Sequence, residues 1–355
     1  MWNTLTKIIR VPLYLVFFLN CIALVLSIVS PYVPISSNSI VSTFGLFFPF
    51  FYIINVVILV CLIAIKDRLK WWPLFFFLIS IPAFSHIFGF NLLNSSPVVK
   101  PITIASFNMQ FSKPIALLSE DDIEYQTLLF KNELSQHNDI DIMAVQEYGD
   151  VSRAIVESAL AMEYDHTIPG MAVSILSKHP IVSSGIVDFQ SNVANTCLWA
   201  DIVIASDTLR VYSYHLESNR HDGEVPEVIH QDAREEKTMS MMTGIVKYYK
   251  LFSNKRFSQA QLIVDHASDC KYPMVLCGDL NDTPQSYLYH YMRTYYSDAF
   301  LHKGRGSGRT IESRVPWLRI DYIFADEKVD FIDYENIHSP YSDHYLLKSK
   351  VVITD

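Results

Sequence analysis

Hydrophobic and polar positions divide the chain into two regimes. Residues 11–30, 44–65 and 71–93 carry no Asp, Glu, Lys or Arg, the third being interrupted by Pro82 and Gly89. Each is long enough to cross the ~30 Å hydrocarbon layer as a helix of about 20 residues. A cleaved signal peptide would account for the first stretch and buried core helices for the others. A signal peptide is not followed by two more such stretches, however, and no small-x-small cleavage site follows the first. The pattern therefore predicts a membrane anchor over residues 1–97, with three transmembrane helices at about 11–30, 44–65 and 71–93, leading through the polar linker 94–97 into a second domain, 98–355.

Beyond the linker the pattern becomes short apolar runs that end in a polar residue. Residues 101–107 read as a strand ending at Asn108, and 141–145 as a buried strand ending in Gln146-Glu147. Residues 124–134 form an amphipathic helix between them. Runs 171–176 and 181–187 suggest a strand pair joined through 177–180. Runs 197–204 and 209–214 suggest another pair, ending in His215. The Met- and aromatic-rich stretch 239–252 reads as a core-facing helix, with a lid or bilayer-contacting helix as the alternative, and 257–267 as a second helix. The polar stretch 224–236 has no clear periodicity. Residues 274–277 form a wholly apolar strand, 287–296 a helix, 303–309 a Gly-rich basic surface loop without a P-loop pattern, 319–324 a strand with an acid inside it, and 348–353 the terminal strand.

Charge adds an orientation. Lys7 and Arg10 precede the first apolar stretch, the loop 31–43 is uncharged, and Lys66, Arg68 and Lys70 fill the next loop. The positive-inside rule places the N-terminus and the second loop in the cytoplasm, so that three crossings leave the second domain outside. Residues 101–355 hold 22 Lys and Arg against 36 Asp and Glu. So acidic a surface disfavours duplex DNA as substrate, because affinity for phosphate backbones comes mostly from basic side chains. Five cysteines without a CxxC or zinc-ligand spacing argue against a disulfide framework or zinc site. Nothing in the pattern points to a protein partner.

The chemistry concentrates where apolar strands end. Asp279, Asn281 and Asp282 follow the strand 274–277 within a few residues, in a turn closed by Pro284. An Asx-turn with Gly278 supplying an unusual φ would explain this stretch alone. It does not explain five more segments of the same kind, carrying Asn108, Glu147, His215, Asp321, Asp343 and His344. A charge in an apolar strand costs several kcal/mol unless it is paired or metal-bound. Glu147 with carboxylates such as Asp343 and Asp279 would form a hard oxygen site suited to Mg²⁺ or Mn²⁺. His344 beside an acid such as Asp321 would stay protonated and stabilise a pentacovalent phosphorane. Asp279 would be the general base for water, and Asn108 and Asn281 would hold phosphoryl oxygens.

The ordered set Ser106-Phe107-Asn108, Gln146-Glu147, His215-Leu216, Gly278-Asp279-Leu280-Asn281-Asp282, Arg319-Ile320-Asp321-Tyr322-Ile323 and Ser342-Asp343-His344 resembles the endonuclease/exonuclease/phosphatase superfamily over essentially all of 101–355. The resemblance implies an α/β fold, a four-layer α/β/β/α sandwich. It implies Glu147 as the principal Mg²⁺ ligand, with Asn108 and Asp343 near the metal or the phosphate. Asp279 would be the base, Asn281 a phosphate contact, and His215 with the Asp321–His344 pair the phosphate-binding histidines. The expected protein is a membrane-tethered, Mg²⁺- or Mn²⁺-dependent phosphoesterase using direct water attack. Its substrate would be a lipid head group, a small phosphodiester or a monoester. A nuclease is the alternative, requiring a basic groove for which 303–319 is the only cluster, and a non-catalytic membrane receptor is the second alternative.

Overall fold

A computed structural model of the 355-residue chain describes residues 2–91, 100–112, 120–190, 195–218, 238–313 and 317–354. The expected linker 94–97 and the polar stretch 224–236 lie outside the described residues. The chain separates into two compact units. One contains residues 2–87, 238–254 and 283–290, and the other the rest of the described chain.

The first unit is helical. Helices α1 (Trp2–Val29), α2 (Ser39–Phe44) and α3 (Phe48–Ala64) form an antiparallel hairpin. Asn38 caps α2 by accepting from the amides of Ile40 and Val41. At the other end of the hairpin Asp67 is bound by Arg10 Nε at 3.1 Å and by the Tyr14 hydroxyl at 2.6 Å. Two stretches, Arg10–Tyr32 and Ser39–Ala64, are long and apolar enough to cross a membrane. The third expected span is not one helix. Its described part, residues 71–91, breaks into α4 (Trp71–Ile79) and α5 (Ile81–Ser85), followed by strand β1 (Phe88–Phe90). Pro82 lacks the amide that would continue the ladder across Ser80. The two pieces run back alongside α3, with Asn55 Nδ2 donating to the Pro73 carbonyl and Tyr52 stacked on both Phe77 and Phe84.

The second unit is built on two six-stranded sheets. One has β2 (Ile102–Asn108), β3 (Ile142–Gln146), β4 (Tyr164–Thr167), β5 (Val173–Ser177), β13 (Val329–Ile337) and β14 (Leu346–Ile353), ordered 13-14-2-3-5-4. The other has β6 (Ile181–Val187), β7 (Thr196–Ile204), β8 (Asp207–His215), β9 (Met274–Asp279), β10 (Ser297–Asp298) and β12 (Asp321–Ala325), ordered 10-12-9-8-7-6. Their inner faces meet in one core, in which Ile104, Ile142, Ala144 and Ile175 of the first sheet pack with Leu198, Val211, Val275 and Ile323 of the second. The outer face of the first sheet is covered by α6 (Glu120–Ser135) and α7 (Asp150–Leu160) through Phe130, Leu134, Ile155 and Val156. The outer face of the second is covered by the C-terminal part of α8 (Thr238–Ser268), where His266 meets Tyr212 and Trp199. The result is the layered α/β arrangement expected.

Three local expectations are corrected. Residues 173–177 and 181–187 are strands but not partners, because β5 pairs with β3 and β4 while β6 pairs with β7. The short link 178–180 therefore crosses between the sheets. The two expected helices 239–252 and 257–267 are one continuous helix, α8, with Tyr249 and Phe252 buried as a core-facing stripe requires. The Gly-rich loop is not a free surface loop either. Arg305–Ser307 forms β11 and pairs antiparallel with β1. A side chain at Gly89 would collide with the Gly304 backbone, which is what permits that approach.

Parallel strands β8 and β9 place Tyr214 opposite Gly278. Gly278 has φ +152°, and a Cβ there would overlap the Tyr214 carbonyl oxygen. Gly278→Ala is expected to lower stability by about 3 kcal/mol, combining backbone strain with the overlap. Thermal unfolding of the purified chain measures it, and an unchanged Tm would show that the strands have room to part.

Candidate active site

The polar residues at the strand ends converge because both sheets present the same end. His215, Asp279 and Asp321 lie in one register row across β8, β9 and β12. Asn108 and Gln146 end the parallel strands β2 and β3 of the facing sheet. Asn108 Nδ2 reaches across and donates to Asp279 Oδ2 at 3.2 Å. Gln146, fully buried, makes a second cross-sheet contact by donating to the Ser213 hydroxyl at 3.1 Å.

Asp279 is the hub. The Asn281 amide donates to its Oδ1 at 2.7 Å, while His215 Nε2 and His344 Nε2 lie 3.8 and 3.9 Å from its Oδ2. Burial, and then repulsion from Asp321, pushes its carboxyl up to about 6, against the pull of both histidines and the Asn281 amide. His344 Nδ1 lies 3.0 Å from each oxygen of Asp321. Burial of His344 opposes its charged form. The charge and hydrogen bond of Asp321, with the charges of Asp279 and Asp343, outweigh it and raise the imidazole to about 10. The pair is therefore an imidazolium–carboxylate with Nε2–H facing the Asp279 side.

Glu147 follows β3 and has a left-handed backbone, φ +48°. Its carboxylate lies 3.8 Å from His215 Nε2 and accepts no hydrogen bond among the described residues. Gln110, Phe111 and Asn281 also have positive φ, so the turns that aim the site concentrate its backbone strain. Asn281 is held by its amide and by Nδ2 donating to the Leu216 carbonyl at 3.0 Å.

All eight sequence-predicted residues thus sit at one end of the sandwich. Among the described residues, the three whose ligand atoms lie within 4.8 Å of one another are Asp279, Asp321 and His344. A protonated imidazole has no lone pair for a metal, so this trio is better understood as an ion-pair network. The sequence reading gave no role to the residues that aim the others. Ser342 Oγ donates to the Asn108 carbonyl at 2.7 Å and accepts from the His344 amide at 3.0 Å. Gln110 Nε2 donates to Asp343 Oδ2 at 3.2 Å, and Thr310 Oγ1 accepts from the amides of Ile320 and Asp321. Ser342 adjoins Asp343-His344 and Gln110 lies two residues after Asn108, so proximity in sequence was their one signal; Thr310 had none.

The endonuclease/exonuclease/phosphatase family model matches residues 105–344, and the chain belongs to that family. Its members hydrolyse phosphoester bonds and typically use a divalent metal. A second model, described as a domain of unknown function, matches residues 7–87. A search of curated proteins finds no match. Among solved structures the chain is similar to the endonuclease/exonuclease/phosphatase from Bacteroides vulgatus, with 18% identity, 72% of this chain and 100% of that one covered, and a TM-score of 0.54. It is also similar to D. rerio TDP2 complexed with a single-strand DNA product (13% identity, 72% and 100% covered, TM-score 0.51). A third is the human Nocturnin catalytic domain with bound sulfate (14% identity, 72% and 94% covered, TM-score 0.50). At these identities the likeness is one of fold.

The Asp321–His344 pair has a stability signature. An imidazole near 6.5 when unfolded and near 10 when folded contributes stability that is complete below pH 6.5 and is lost as pH rises through 10. Asp321→Asn should flatten the loss of Tm between pH 7 and 10 relative to wild type, measured in EDTA on the purified chain. Parallel curves would show that the pair does not carry the proton.

Proposed function

We propose that the chain is a membrane-tethered, divalent-metal-dependent phosphoesterase that hydrolyses a phosphodiester or monoester by direct attack of water, with its catalytic domain outside the cytoplasm. The observation that carries this reading is Asp279, a buried carboxyl raised to about 6, set between two histidines, one of them held charged by Asp321.

Asp279 takes the proton from the attacking water, a base poised near neutral pH. His344 Nε2–H and His215 bind the phosphoryl oxygens and the charge that grows on them. Asn108 and Asn281 each keep one amide proton after their observed bonds and direct it to the same oxygens without adding negative charge. Glu147, whose carboxylate accepts no hydrogen bond among the described residues, suits a hard divalent ion and would hold Mg²⁺ or Mn²⁺ with Asn108 and Asp343. The ion supplies neutralisation of phosphate charge.

The substrate reading favours a lipid head group or small phosphodiester over nucleic acid. In the basic cluster considered for a nuclease groove, Arg319 is buried against Asp298 at 2.8 Å, and Arg309 donates to the carbonyls of Ile311 and Ser313. The D. rerio TDP2 complex with DNA supports the nuclease as second reading.

The membrane and its sidedness rest on the helical unit. Arg10, Asp67, Arg68 and Lys70 gather at one end of the hairpin. The α4–α5 segment spans only about 22 Å at 1.5 Å per residue. It returns to the opposite, uncharged end, where Gln285 Nε2 donates to the Ala83 carbonyl. By the positive-inside rule this uncharged end of the hairpin, with Gln285 bound at it, would face the outside. In oriented vesicles, a protease added on the extracytoplasmic side should digest an epitope appended to Asp355. Digestion only after permeabilisation would reverse the orientation.

The activity test uses the full chain in detergent with phosphodiester, monoester, phospholipid and single- and double-stranded DNA substrates, in Mg²⁺, Mn²⁺ or EDTA. Metal-dependent turnover is expected, with Asp279→Asn and His344→Ala each lowering kcat by about 10²–10⁴-fold. Turnover that survives both substitutions would refute the assignment.

A further inference from the structure

The chain leaving β8 is held at every polar atom just beyond the strand's end. Residues Lys255–Asp282, which include the C-terminal part of α8, belong to the α/β unit. Three side chains of that helix converge on Glu217, two positions after His215, where β8 has ended. Gln259 Oε1 accepts from the Glu217 amide at 2.9 Å, Arg256 Nη1 donates to the Glu217 carbonyl at 3.2 Å, and Lys255 Nζ donates to Oε1 at 3.0 Å. Asn195 Nδ2 donates to Oε2 at 2.9 Å. Leu216, just before, is fixed from the other side. Its amide donates to the Asp279 carbonyl at 3.0 Å, and its own carbonyl accepts from Asn281 Nδ2 at 3.0 Å.

Arg256 reaches further. It is completely buried, and its Nη2 lies 3.6 Å from Oδ2 of the equally buried Asp282. One guanidinium thus joins the chain leaving β8, which carries His215, to the chain leaving β9, which carries Asp279 and Asn281. We infer that Arg256 is a positioning residue that sets His215 against Asp279 by tying these two strand-end segments together; this rests on the phosphoesterase reading above. The β8–β9 pairing fixes the register only as far as the His215–Asp279 row. Beyond that row the bonds of Glu217 and Asp282 take over. Filling a buried position needs only an apolar side chain, with no charge to compensate. A buried carboxylate met by a guanidinium, an ammonium and two amides fixes direction as well, because hydrogen bonds are geometrically narrow and the guanidinium fork reaches two partners at once. His215 Nε2 stands 3.8 Å from both Asp279 Oδ2 and Glu147 Oε1. Displacements of about 1 Å near reacting groups cost up to ~10²-fold in rate, so a hold on this spacing acts on kcat.

The test has two arms, both on the full-length chain. In the first, Arg256→Lys keeps the buried positive charge but not the fork, and Gln259→Leu removes only the acceptor for the Glu217 amide. Hydrolysis of bis-p-nitrophenyl phosphate in Mn²⁺ is expected to lose about tenfold in kcat with Arg256→Lys and about threefold with Gln259→Leu, with KM changed by less than about twofold. In a His215→Ala background neither variant is expected to lower kcat by a further twofold or so, because the side chain through which the hold acts is gone. A general loss of structure would instead multiply with His215→Ala. Such multiplication, or wild-type kcat in both variants, would overturn the positioning role. If Arg256→Lys does not accumulate, Gln259→Leu decides the matter alone. In the second arm, crystal structures of the variants are expected to show the His215 Nε2 to Asp279 Oδ2 separation changed by about 0.5 Å or more. An unchanged separation would overturn the hold. This arm needs no turnover, so failure of the activity and failure of the hold are told apart.

Discussion

A carboxylate buried at the meeting of two sheets is the constraint on which the rest depends. Asp279 is 1% exposed, and leaving its charge uncompensated there would cost several kcal/mol. The fold answers with Asn108 from the facing sheet, the Asn281 amide from its own turn, and imidazoles on either side. Asp321, its neighbour in register, would worsen the problem were it not paired with His344. The same arrangement that makes the burial tolerable leaves Asp279 able to exchange a proton near neutral pH. Stability and chemistry here have one origin.

That arrangement needs the two sheets locked in depth, not merely stacked. Apolar side chains such as Ile104, Ala144, Val211 and Val275 pack them but do not fix the sliding coordinate. The cross-sheet bonds Asn108–Asp279 and Gln146–Ser213 do, because hydrogen bonds tolerate only tenths of an ångström. Ser342 then links the last strand's entry to the end of β2, setting His344 and Asn108 in a single frame.

Much of this was legible in the sequence, and the failures are physical. The strands that carry the site announced themselves, because a buried strand reads as an apolar run and a polar residue at its end is conspicuous. Strand pairing did not: β5 and β6 look like a hairpin locally, but only the sheets' packing shows that 178–180 crosses between them. β13, with its alternating acids in 329–337, lacks the apolar run that marked the others. The Gly-rich stretch reads as a surface loop, yet its backbone at Gly304 approaches Gly89 of β1 too closely for a side chain at Gly89. The third apolar stretch had the composition of a span but not the continuity, which Pro82 removes. Gln285 gave no signal at all, since its bond with the Ser30 hydroxyl spans 255 residues of sequence.

The central claim is a division of labour: a cation on Glu147, and a proton-and-phosphate network on Asp279, Asp321, His215 and His344. Anomalous diffraction from crystals of the full chain soaked in Mn²⁺ tests it most directly. The account predicts a manganese peak at the Glu147 carboxylate and none between Asp279, Asp321 and His344. A peak bound by His344 Nδ1 or Nε2 within that trio would contradict it, because the imidazole would then be a ligand and not the charged donor on which the mechanism rests.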